Sequence, residues 1–138
     1  MATYNKFNQV VEDLANKVHN LGADSLKIML SNTAPTAANV NKADITEISA
    51  GNGYTAGGNA CSLTSSTQTS GLYKLILASP ATWTASGGSI GPFRYAVLYN
   101  STNNKLLGWW DYGSSITLAS GETFTVSLDG TNGVLQLQ

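Results

Sequence analysis

The chain has 138 residues, with 7 Lys plus Arg against 8 Asp plus Glu, one His, one Cys and a net charge of −1. That is one domain's length, enough to build its own core, and its basic residues form no patch of the kind that phosphate-driven nucleic-acid binding needs. Only 11% of residues are charged, while Ser, Thr and Asn number 43 and Gly 14, which suits a β protein with polar turns rather than a disordered tail.

Residues 1–7 lack the basic-then-apolar pattern of a secretory leader, and no run approaches the roughly 18 apolar residues of a membrane span. Phe7, Val10, Val11, Leu14, Val18 and Leu21 recur at helical spacing, which predicts one amphipathic helix over 4–21. Thr3 is its expected N-cap and Gly22 its left-handed stop. Glu12, Asp13, Asn16 and Lys17 fall on the polar face, and His19 on its flank.

After Gly22 the period changes to two. Leu26, Ile28 and Leu30 alternate with Lys27, Met29 and Ser31, predicting a strand with one wet face. Residues 33–44 read as a polar connector, Ile45 and Ile48 as a short turn or strand, and 51–60 as a loop needing unusual backbone angles. Eight or nine short strands are expected, most of them beyond this loop: 61–69 as an edge, 72–78, a 93–100/105–112 hairpin, a 116–119/122–128 hairpin across Ser120-Gly121, and 134–137. Residues 25–138 thus read as a β-sandwich, jelly roll or small barrel, joined to the helix in a single domain 1–138.

Catalytic patterns are weak. Gly87–Gly91 fits G-x-S-x-G, but His19 lies upstream and Pro92 follows where a helix should begin. The glycines of 51–58 match no phosphate loop, the carboxylates are scattered, and one His with one Cys makes no metal cluster. Cys61 has no partner for an intramolecular disulfide and reads as a small, half-buried strand residue in a chain that folds in a reducing cytosol. No enzyme activity and no cofactor are expected. The aromatic residues say more. Neighbours on a strand point to opposite faces, so Trp109 and Trp110 cannot share one, and an outward Trp is a candidate contact for a protein or a sugar.

The stretches Asp44–Gly58, Gly91–Asn100 and Gly108–Gly113, together with the helix-then-β layout, carry a resemblance over nearly the whole chain. They resemble the capsid cement (decoration) proteins of tailed bacteriophages, such as that of Bordetella phage. The resemblance implies a jelly-roll-like antiparallel β-sandwich with one N-terminal amphipathic α-helix, forming a homodimer. It also implies attachment to the major capsid protein on the virion exterior; the charge distribution and the lack of a long apolar run give no expectation of nucleic acid or membrane as partner. The residues expected at contacts are Trp109, Trp110 and Tyr112, the loop with Gly53, Tyr54, Gly57 and Gly58, and the helix's outer face around Lys6 and Lys17. The alternatives are a tail or head–tail connector component, and a carbohydrate-binding adhesion module using Trp83, Trp109 or Trp110.

Overall fold

A long hairpin organises the structure, a computed structural model that describes residues 2–138. Its strands are β7 (Ile90–Asn100) and β8 (Lys105–Leu118), joined across a turn in which Asn104 takes a positive φ of 59°. On one side β7 pairs with β2 (Leu26–Ser31), and β2 with β3 (Asn59–Cys61); on the other, β8 pairs with β1 (Tyr4–Lys6). The five strands form an antiparallel sheet in the order β1-β8-β7-β2-β3. A second sheet, β10-β5-β4, consists of β4 (Leu63–Thr69), β5 (Leu72–Leu77) and β10 (Leu135–Leu137). A two-stranded sheet pairs β6 (Trp83–Thr84) with β9 (Thr123–Phe124).

Register places Leu30, Ala96, Trp110 and Tyr4 in one row across the wide sheet, and Met29, Val97, Trp109 and Asn5 in the next row, on the opposite face. Tyr4, Ala96 and Trp110 line the same groove as Val126, Leu128 and Val134, so the smaller layer lies over that face and the protein is a β-sandwich. Ile28, Leu30, Leu98, Leu75, Leu77 and Trp83 are buried in its core, each contributing about 1.5–3 kcal/mol of transfer free energy. The opposite face is covered by the connector 32–57: Ser31 Oγ donates to Thr46 O (2.6 Å), and the Tyr99 hydroxyl donates to Gly57 O (2.8 Å). β2 is therefore dry on both faces, with Met29 and Ser31 both buried, not half wet as its alternation predicts.

The N-terminal helix is much shorter than 4–21. Residues Tyr4–Lys6 are strand, paired to Trp110, Trp109 and Gly108, because the sheet edge at β8 offers them a backbone ladder and an aromatic neighbour for Tyr4. The helix α1 covers only Gln9–Ala15, with Asn8, not Thr3, at its N-cap. It stops at Lys17, not Gly22. Val18 N–H reaches Asp13 O (2.8 Å), Lys17 N–H reaches Leu14 O (3.4 Å), and Lys17 sits at φ 62°; this is the Schellman closure, with a lysine in the left-handed position usually held by glycine. The shortened helix turns Val10 and Asp13 inward and leaves Val11 exposed.

The expected 116–119/122–128 hairpin is not formed. Residues 116–118 complete β8, and β9 turns away to pair with Trp83 and Thr84. Its turn is closed by Glu122, whose Oε1 accepts from Ala119 N–H (2.7 Å).

Candidate functional site

Between the wide sheet and the 124–134 segment lies a groove of about 450 Å³. The pleat of β1 and β8 sets Tyr4 and Trp110 side by side, with ring centroids 5.1 Å apart. Gly108, facing Lys6 in the register, has no side chain because the Tyr4 ring occupies the place of its Cβ. Across the groove Phe124 meets Phe93 edge-on at 4.9 Å and Tyr112 at 5.9 Å. Val126, Leu128 and Val134 complete the apolar wall. Tyr112 forms the rim and is 55% exposed. Burial raises the pKa of the Tyr4 hydroxyl above the ordinary phenol value.

Two carboxylates flank the groove: Asp111 is paired with Arg94, and Asp129 is held by the N–H groups of Thr131 and Asn132. Arg94 Nε and Nη2 donate to Asp111 Oδ1 and Oδ2 (2.7 and 3.0 Å), and Gly113 N–H also donates to Oδ1 (2.8 Å). The Arg94 hydrogen bonds, followed by that of Gly113, hold the Asp111 carboxyl below its usual range. Such a bidentate pair is rigid and directional. An apolar floor with its charges paired at the side is the composition of an interface centre.

Of the expected contact residues, the fold brings Trp110 and Tyr112 together here. Trp109 lies on the opposite face against Phe7, 4.6 Å between ring centroids, as the strand alternation requires. The glycine loop is largely spent inside the chain. Tyr54, Gly57 and Gly58 are buried, and only Gly53 of the four is exposed. A Cβ at Gly58 would collide with the backbone of Ile28, and one at Gly53 with Thr84 O, so these glycines serve close approach between backbones of one chain. Lys6 and Lys17 are exposed but share no helix face, because Lys6 is on β1 and Lys17 follows the Schellman turn. Trp83 is 1% exposed and cannot be a platform for a sugar.

Two polar clusters, one partly and one largely buried, went unread in the sequence. Glu47 Oε1 accepts from the Tyr54 hydroxyl (2.7 Å) and from Gly57 N–H, while its Oε2 lies 3.5 Å from Lys42 Nζ. The Tyr54 oxygen in turn accepts Leu30 N–H (3.0 Å). Burial pushes the Tyr99 hydroxyl beside this cluster up to about 12. The second cluster centres on His19. Asn100 Nδ2 contacts His19 Nδ1 (3.0 Å) and Asp24 Oδ2 (2.6 Å), and His19 Nε2 faces Asp13 Oδ2 at 3.8 Å. The ring is buried, and desolvation lowers its pKa against the opposing pull of Asp13 and Asp24. Each cluster joins nearby residues of one segment to a distant strand, at Leu30 in the first and at Asn100 in the second, so no local pattern announces it.

Among the described residues no three His, Cys, Asp or Glu side chains are grouped to hold a metal ion, and no helix is long and apolar enough to cross a membrane. No protein-family model, no curated protein and no solved structure matches the chain.

Proposed function

We propose that this chain is a virion structural protein, a jelly-roll-like cement that binds the exterior of an icosahedral phage capsid. As a homodimer it staples neighbouring major capsid protein subunits after expansion and stabilises the shell. The observation that carries the reading is the aromatic groove rimmed by the exposed Tyr112, with Trp110 and Tyr4 beneath it. Aromatic anchors of this kind dominate protein interfaces, and Arg94 and Asp111 are already paired with each other. Short polar side chains elsewhere lose little rotamer entropy on contact. Many identical sites on one shell make a modest affinity per site sufficient. Preference for the expanded shell follows if only that state presents both halves of the site, because a ligand stabilises the state it binds.

The test is co-sedimentation with expanded and unexpanded heads of the phage that encodes the chain. Hundreds of copies on expanded heads alone is the expected result. Binding to neither form overturns the reading, and a ring of six or more copies on the tail would assign the protein there. Trp110→Ala and Tyr112→Ala should each weaken decoration by about ten-fold or more; undiminished decoration by both removes the groove from the interface.

A further inference from the structure

The groove has an open strand edge along one wall. β9 ends at Phe124, yet the two-residue alternation of a strand continues: Phe124, Val126 and Leu128 are half-buried, Thr125 and Ser127 exposed. Ala85 N–H donates to Glu122 O, and Trp83↔Phe124 is the next hydrogen-bonding position of the same antiparallel ladder. The backbone groups of Phe124 therefore point towards β6. Continued in the same phase past Phe124, the chain would turn those of Thr125 and Ser127 to the other edge. Among the described residues no backbone hydrogen bond involves Thr125, Val126 or Ser127, and Leu128 N–H is held only by Ser79 Oγ (3.0 Å). On the β6 side the ladder stops at Trp83 and Phe124, and Ala81 O instead accepts from Asn59 Nδ2 (2.7 Å).

We propose that the Thr125–Ser127 edge and the groove beneath it form a strand-addition site for an extended segment of another protein, apolar at alternate residues. A strand laid along this edge would hydrogen-bond the backbone of Thr125 and Ser127. Its inward side chains would enter the groove over Trp110 and Tyr112. Main-chain bonds supply the affinity of such a mode and the alternating pockets its selectivity. The unpaired backbone groups are what commit the occupant to polypeptide, since only an extended chain repeats donors and acceptors at this spacing. A second copy pairing its own 124–128 segment along this edge would leave the groove unfilled, because its Phe124, Val126 and Leu128 line their own groove.

The inference does not depend on the capsid reading: the site can take a strand whether or not heads bind the protein. A tether tests it. Ala2 lines the groove, so a Val-Thr-Val-Thr-Val segment joined to the N-terminus of the full chain by a Gly-Ser linker is held there at high effective concentration. Amide hydrogen exchange at Thr125 and Ser127 should slow by about ten-fold or more relative to the untethered chain. A tether with Pro at its second and fourth positions, which lacks those N–H donors, should not slow it. Unchanged exchange with the Val-Thr tether overturns the proposal. Equal slowing by the Pro tether overturns it too, by showing apolar filling without strand pairing. Protection of both amides already present in the untethered chain, lost on dilution, would assign the edge to a second copy instead.

Discussion

The Tyr4 ring fills the space that a side chain at Gly108 would need, and it rests 5.1 Å from Trp110 while doing so. One glycine thus lets an N-terminal strand lie flat on β8 and builds the aromatic floor of the groove. Gly108→Ala should expel Tyr4, loosen β1 and destabilise the fold by about 1–3 kcal/mol. Urea unfolding checks the stability, and a changed tryptophan emission should report the altered surroundings of Trp110.

Tyr54 joins the connector to the centre of the sheet through one oxygen, which donates to Glu47 and accepts from Leu30 N–H. Tyr54→Phe keeps the ring and removes both bonds, leaving a buried N–H and a carboxylate short of a partner. The expected cost is about 1–3 kcal/mol, read from the denaturation midpoint. No loss would mean that water replaces the hydroxyl.

Lys17 carries a Cβ where the helix end requires a left-handed backbone. Lys17→Gly should relieve that strain and raise stability by about 0.5–1 kcal/mol. Lys17→Val should lower it, because a β-branched residue tolerates this conformation least. Melting temperatures of the two variants, compared with the parent, check the sign.

His19 makes stability depend on pH. Desolvation depresses its folded pKa, so the unfolded chain takes up a proton near pH 6.5 while the folded chain does so only at lower pH. Stability from the neutral ring is present above about pH 6.5 and is lost as pH falls towards the folded pKa. The held carboxyls of Asp44, Asp111 and Asp129 are depressed as well. Their contribution is lost only below about pH 4, so the loss that begins at His19 sets in at higher pH. His19→Gln should flatten the decline that begins as pH falls below about 6.5, as denaturant midpoints across the acid range would show.

The sequence by itself determined what repeats locally. Alternation marked β2, turn residues bracketed the runs that became β5, β7 and β8, and adjacency forced Trp109 and Trp110 onto opposite faces. The main-β class and the sandwich were legible for that reason. Tertiary structure decided everything that depends on who pairs with whom. Tyr4–Lys6 precede a helical stripe that starts at Phe7 and became strand because β8 offered an unpaired edge. Asp13 and His19 look like surface residues of a helix and are buried, because the helix stops early at Lys17. The glycine loop that looked like a contact surface turned inward onto Glu47, Tyr99 and Ile28. Half of the site, Trp110 and Tyr112, could be chosen from strand alternation. The other half, Tyr4, Phe124 and the open edge at Thr125–Ser127, could not, since a groove between sheets is made of residues whose proximity only the packed fold creates.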